Sequence, residues 1–284
     1  MSIEIKNLIK NFGDTHALDD VTLTLGQDKI YGLLGNNGAG KTTLLSILTG
    51  RMYSSFGEVT VDGEHTKNND KVLSKIFMVS EQNMFPEDMK VKKAFELAQK
   101  FYPEFDRVYA ENLAKKFGLS TKKKIQTLST GYASIFRLIL GLSVNTPYLL
   151  FDEPVLGLDA QHRDMFYRVL LEKYAEHPCT IVISTHLIAE AADLIEHAII
   201  IRDGKILKDC LAEELTANAY SVSGPAGLVD KYLEGKYVLT STVLGGLKTA
   251  SVQGQRDGQP EGLEFARINL QDYFISLMEE EDKK

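Results

Sequence analysis

Gly35-Asn36-Asn37-Gly38-Ala39-Gly40-Lys41-Thr42-Thr43 has the spacing of a phosphate-binding loop, and it follows an uncharged apolar run, Ile30 to Leu34, that reads as a buried strand. Glycines in such a loop let the backbone curl until successive N–H groups point at the β- and γ-phosphates of a nucleotide. The helix that follows adds the positive end of its dipole. Lys41 is then placed to neutralise phosphate oxygens and Thr42 to bind Mg²⁺ through its hydroxyl. Leu44, Leu45 and Leu48 give that helix an apolar face for a sheet. The loop alone fits kinases, GTPases, helicases and transport ATPases, so the coupled task has to be read elsewhere in the chain.

Composition narrows the choice. With 284 residues, 44% hydrophobic and 25% charged, the chain has the make-up of a globular protein with one large core or two modest ones. No apolar run approaches the roughly 20 residues needed to cross a bilayer. Met1 to Lys6 lacks the apolar region of a secretory signal, so a cytosolic chain is expected. Cys179 and Cys210 stand far apart without companion ligands, as buried thiols do. A net charge of −7 argues against broad nucleic-acid binding, which needs a basic footprint.

Outward from the loop, Ile3 to Leu8 and Val21 to Leu25 alternate apolar and polar residues as half-buried antiparallel strands do. Asn11-Phe12-Gly13-Asp14 between them has turn chemistry. Phe12 there serves either to stack on an adenine ring or to anchor the core. Gly57 to Gly63 and Ile76 to Ser80 read as further strands. From about Met89 to Asn145 the periodicity turns helical, with Val91, Phe95, Ala98 and Phe101 at one spacing and Tyr109, Leu113 and Phe117 at another. Strands return at Tyr148 to Phe151 and Thr180 to Ser184, and Ala198 to Leu207 reads as a hairpin turning at Asp203-Gly204. Strands alternating with helices predict an α/β fold with a mainly parallel sheet, ligands at its carboxyl ends, an antiparallel β subdomain and an inserted helical subdomain over about 86 to 147.

The tail carries fewer signals. Tyr237 to Ser241 and Leu247 to Val252 suggest strands, Gly254 to Gly262 an exposed loop, and Asn269 the cap of a last helix with Leu270, Phe274 and Leu277 on its apolar face. Residues from Glu279 read as a solvated end. A small α+β extension over about 216 to 284, of unassigned role, is the expectation.

The run Tyr148 to Phe151 stops abruptly at Asp152-Glu153. Downstream of a phosphate loop, a carboxylate at that place holds Mg²⁺ through its water shell, and the next one out can polarise an attacking water as general base. Between loop and carboxylates lies Leu128-Ser129-Thr130-Gly131-Tyr132, directly before a helical run from Ala133 to Leu142.

Here the chain resembles the ATP-binding subunit of an ABC transporter, because that segment looks like the family's Leu-Ser-Gly-Gly-Gln signature about 20 residues before the acidic strand end. The resemblance covers about residues 1 to 215, read as one ATP-binding domain on a P-loop NTPase core. It implies adenine stacking for Phe12, phosphate contacts for Ser129 and Gly131, a seam contact for Asp159 in Gly157-Leu158-Asp159, and a γ-phosphate contact for His186 in Ser184-Thr185-His186. By the residues alone, His186 reads first as a core histidine, and Ser129 and Asp159 as helix caps, which is compatible with a role in the site. Thr130 and Tyr132 depart from the family's Gly and Gln. Gln82 is the only glutamine available for the family's Q-loop and its Mg²⁺ contact, although counting back from Phe85-Pro86 points nearer Ser80.

The resemblance further implies ATP and Mg²⁺ as ligands, a dimer with a second ATPase subunit around two nucleotides, and hydrolysis through Glu153. It also implies a separate transmembrane permease that would hold the chain at the inner face of the membrane, in the manner of bacterial exporters. A soluble ATPase of the same fold and an ATP-binding regulatory module are the alternatives.

Overall fold

A computed structural model describes residues 1–82, 84–258 and 260–281; Gln259 of the expected exposed loop and residues 282–284 of the expected solvated end lie outside it. β1 (Ser2–Phe12) and β2 (Thr15–Gly26) pair antiparallel with Ile3 opposite Leu25 and Ile5 opposite Leu23, so their apolar positions share one face. Both strands extend past the expected bounds, and the turn shrinks to Gly13-Asp14, which leaves Phe12 at the end of β1. β3 (Ile30–Leu34) is buried throughout and leads through the glycine loop into α1 (Lys41–Leu48). β4 (Phe56–Val61) returns to pair with β1 and with the short β5 (Glu64–His65). Then come α2 (Asp70–Leu73) and β6 (Ile76–Val79).

Three helices follow: α3 (Val91–Phe101), α4 (Arg107–Lys116) and α5 (Thr130–Ser143). Their core joins Phe95 to Phe136, stacked at 6.0 Å between ring centroids, and to Phe105 at 6.2 Å. Phe101 shares the spacing of Val91, Phe95 and Ala98 yet is 71% exposed. The helix ends at that residue, and the next one, Tyr102, takes the inward contact instead, edge-on to Phe77 at 5.0 Å.

The chain continues through β7 (Tyr148–Asp152), α6 (Ala160–Glu176), β8 (Thr180–Thr185), α7 (Ile188–Ala191), β9 (His197–Arg202) and β10 (Lys205–Leu211). One sheet has the order β2-β1-β4-β5 and a six-stranded sheet the order β10-β9-β3-β8-β7-β6, in which β3–β8, β8–β7 and β7–β6 are parallel. The four parallel neighbours therefore end side by side. Leu34 lies opposite Thr185 and Asp152 opposite Ser184, which brings the starts of the phosphate loop, the acidic pair and His186 into one row. Beneath them Leu44, Leu45 and Leu48 of α1 join Ile3, Ile5, Val59, Met78 and Leu150 in a continuous core.

The chain divides into two compact units, one of Met1–His186 with Ile199–Asp209 and one of Leu187–Ala198 with Cys210 onward. The second unit contains α8 (Ala212–Ala217), β11 (Ala219–Pro225), α9 (Ala226–Leu233), β12 (Tyr237–Leu244), β13 (Leu247–Gln253), β14 (Glu264–Arg267) and α10 (Leu270–Glu281). Its sheet is antiparallel in the order β12-β13-β11-β14, packed on a core of Tyr220, Val222, Val229, Ala250, Val252 and Leu263. Asn269 caps α10 by accepting from the Asp272 amide at 2.8 Å. Among the described residues no helix is long and apolar enough to cross a membrane.

Candidate active site

Two glycines shape the loop after β3. Gly40 precedes α1 at φ 109°, and a Cβ there would sit 2.6 Å from the Ala17 carbonyl oxygen; a Cβ on Gly35 would collide with the Ile201 carbonyl. Asn36, Asn37 and Gly38 form an exposed rim, while Ala39 and Gly40 are buried. Thr42 is exposed and Thr43 half-buried in the first turn of α1. Lys41 is only 5% exposed, and its ammonium donates back to the Gly35 carbonyl at 2.7 Å and the Asn36 carbonyl at 3.2 Å.

The acidic pair stands at the end of β7, separated from β3 by β8. Asp152 ends β7 and accepts a 2.6 Å hydrogen bond from the Ser184 hydroxyl, wholly buried on β8. Glu153 takes φ 48°, a left-handed backbone that is uncommon outside glycine, while its amide donates to the Ser184 carbonyl at 3.0 Å. That turn aims the carboxylate at both neighbours. Its Oε1 lies 3.3 Å from Lys41 Nζ and its Oε2 lies 2.9 Å from His186 Nδ1. An ionised carboxylate only accepts, so His186 Nδ1 carries the shared hydrogen in that pair. Although Oε1 is paired with Lys41 by distance, the alignment is outside hydrogen-bond geometry, and this buried atom accepts no hydrogen bond.

These features fit a nucleotide with Mg²⁺. The buried ammonium and the open amides of a glycine loop suit phosphate oxygens. Hydroxyl and single-carboxylate donors of the kind Thr42 and Asp152 offer are what Mg²⁺ uses when phosphates and water complete its shell. Among the described residues, no group of three or more His, Cys, Asp or Glu gathers as a separate cage.

Ser129, Gly131 and Asp159 form a second cluster. Ser129 is exposed and caps α5, its Oγ accepting from the Tyr132 amide at 3.4 Å. A Cβ on Gly131 would lie 3.3 Å from the Gly157 carbonyl, so the signature turn rests on the Gly157-Leu158-Asp159 segment. Asp159 caps α6 through the His162 amide at 2.9 Å and meets His162 Nδ1 at 2.8 Å. The His162 amide, then its ring, holds the Asp159 carboxyl below the usual range. Thr130 opens α5, a first-turn position where a β-branched residue is easily accommodated. Tyr132 sets its ring edge-on to His162, with centroids 6.4 Å apart.

Phe12 is 49% exposed with Lys10 Nζ 4.9 Å above its ring, which removes the core-anchor alternative. Gln82 is exposed and lines a cavity with Phe85, Phe136 and Arg137. Ser80 and Glu81, rather than Gln82, border the small cavity that Asp152 and Glu153 also line. Ser184 was not anticipated from the sequence; its signal was a hydroxyl in an otherwise apolar buried run directly across from Asp152.

A family profile described as ABC transporter matches residues 18–156. The chain is 32% identical over 212 residues to the uncharacterised ABC transporter ATP-binding protein MJ1023 of Methanocaldococcus jannaschii, covering 72% of this chain and 75% of that one. The chain belongs to the ABC transporter family. This ABC ATPase is also similar to the ABC transporter ATP-binding protein YtrB of Bacillus subtilis, 33% identical over 65% of this chain and 63% of that protein. Among solved structures, it superposes on the dimeric post-hydrolysis state of the ATP-binding cassette MJ0796 bound to ADP and phosphate. The TM-score is 0.65 at 25% identity, over 74% of this chain and 98% of that one. The ABC ATPase is thus a mixed α/β nucleotide-binding cassette with a parallel-dominant sheet, and an ATPase by family.

Proposed function

We propose that this chain is the ATP-hydrolysing subunit of an ABC transporter, that two subunits close around two MgATP, and that closure drives a separate membrane permease, in the direction of export. The observation that carries the catalytic part is the buried contact of Lys41 with Glu153 Oε1, beside a Glu153 Oε2 held by His186. Residues 1 to 215 form the ATP-binding domain in this reading, and those from 216 on an accessory extension.

Within one subunit, amides of Gly35 to Thr43 cradle the phosphates and Lys41 moves its donors from its own loop carbonyls to phosphate oxygens. Phe12 stacks on the adenine. Thr42, Asp152 through a water shell, and Gln82 would hold Mg²⁺, which would supply neutralisation of phosphate charge. Ser184 keeps one oxygen of Asp152 engaged, so the carboxylate presents a fixed face. Glu153 Oε1 accepts the proton of a water as its oxygen bonds to the γ-phosphorus and the bond to the β-bridging oxygen breaks, releasing ADP. His186 fixes Glu153 and contacts the γ-phosphate. Ser129, Gly131 and Asp159 act on the partner's nucleotide across the seam, where exclusion of water strengthens each contact. Loss of the γ-phosphate removes the cross-seam contacts and shifts the dimer towards opening.

The exposed position of Ser129 at a helix start, next to the Asp159 segment, supports a site completed by a second copy. Location at the inner membrane face would follow from the permease. The test is purification of the tagged chain from its own membranes, with identification of the companion polypeptides and of phosphate release by the complex. A multispanning companion that stimulates release supports the reading; recovery of the chain with ribosomes or nucleic acid, and without such a companion, overturns it.

A further inference from the structure

Arg137 is the one charged residue in the run Ala133 to Leu142. It sits in the middle of α5, half-buried, where a long cation costs desolvation unless its donors are used. They are used on two separate segments. Nη1 donates to the Glu81 carbonyl at 2.9 Å and Nη2 to the Ser134 hydroxyl at 3.0 Å. Ser134, buried one turn earlier on the same helix, passes its own hydrogen to the Leu156 carbonyl at 3.4 Å. Glu81 lies just beyond β6 and Leu156 just beyond the catalytic carboxylate. Arg137 and Ser134 line, together with Ser80, Glu81, Asp152, Glu153 and Leu156, a cavity of about 10 Å³.

The same stretch is gripped from its other side. Arg51, three residues past α1, donates to the Ser80 hydroxyl at 2.9 Å and the Met78 carbonyl at 3.0 Å. The segment carrying Ser80 to Gln82 is therefore strung between a guanidinium from the phosphate-loop side and one from the helix that begins at Ser129. Burial pushes both guanidinium groups below their ordinary pKa, in keeping with partly desolvated charges that their neighbours must satisfy.

We propose that Arg137 is a positioning residue that makes the segment after β6, the segment after Glu153 and the Ser129 helix move as one body. With the clamp intact, a displacement of α5 carries the walls of the Asp152–Glu153 cavity with it; without it, Ser129 can shift while those walls stay behind. Sub-ångström placement of such walls decides whether a water is aligned for attack. The inference rests on the ATPase reading above.

The experiment compares wild type with Arg137→Met, which keeps the apolar stem, and with Arg137→Lys, which keeps the charge but not the planar fork of donors that reaches Glu81 and Ser134. Steady-state phosphate release is measured beside hydrogen exchange of peptides covering 76–86 and 128–140, with and without MgATP. For Arg137→Met, kcat is expected to fall about tenfold with KM within about twofold of wild type, and ATP to protect the two peptides to different extents where wild type protects them together. Arg137→Lys should recover part of both effects. Wild-type kcat in Arg137→Met with joint protection retained would overturn the proposal. So would loss of melting temperature and ATP binding in proportion to activity, the mark of a purely structural residue. Absence of phosphate release by wild type would count against the ATPase reading alone, because joint protection of the two peptides on ATP binding tests the clamp without turnover.

Discussion

Lys41 Nζ stands 3.3 Å from Glu153 Oε1, with the lysine side chain 6% and the glutamate side chain 16% exposed. The cation proposed for phosphate and the carboxylate proposed for water are thus in ionic contact, one from the helix after β3 and one from the end of β7, with β8 between those strands. Replacing Lys41 by Ala removes the charged donor to the phosphates. Charge-assisted hydrogen bonds of this kind contribute about 1.5–3 kcal/mol, so ATP affinity should fall roughly 10- to 100-fold in a direct titration with a fluorescent analogue. Unchanged affinity would remove Lys41 from phosphate binding.

Phe12, exposed on the tip of β1, makes a different prediction. Phe12→Ala should leave the melting temperature unchanged and weaken ATP binding roughly two- to tenfold, the range of one aromatic contact. A loss of melting temperature with intact ATP affinity would place the ring in the fold rather than in the site.

The scaffold under the site has its own pH signature. Asp62 accepts from Lys75 at 2.7 Å, from the Tyr148 hydroxyl at 2.8 Å and from the Ser2 amide at 3.1 Å. Burial works to raise its pKa, but the hydrogen bonds from Lys75, Tyr148 and Ser2 together outweigh it and hold the carboxyl below its ordinary value. A carboxyl with a depressed folded-state pKa contributes stability above the unfolded value, and that contribution disappears as pH falls through the folded one. Asp62→Asn, which tolerates the left-handed backbone at this position, should melt below wild type at neutral pH, with the gap closing below the unperturbed aspartate value of about 3.9. A gap that persists unchanged under acid would contradict the assignment.

Much of this was legible in the sequence, because phosphate chemistry needs certain residues at fixed intervals. Gly35 to Thr43, Asp152-Glu153 and His186 follow apolar runs short enough to be read only as buried strands, and parallel pairing puts the ends of such strands in one row. Side-chain reach was not legible. Nothing in the order of residues says that Glu153 adopts a left-handed backbone, or that Arg137 crosses to Glu81, since both follow from packing between segments more than 30 residues apart. Phe101 illustrates the same limit: its helical spacing is right, but the helix ends there and its neighbour turns inward. In the tail, β11 and β14 escaped notice because β11 offers only Ala219, Tyr220 and Val222 as buried apolar positions and β14 only Phe265 and Ala266 as apolar ones.

The most direct test of the central claim is the behaviour of Glu153→Gln, which keeps the shape of the side chain and removes its capacity to take a proton. With MgATP, sedimentation should show a stable dimer holding two ATP molecules, while phosphate release falls by about 10²-fold or more. Phosphate release at the wild-type rate from this variant would contradict the account.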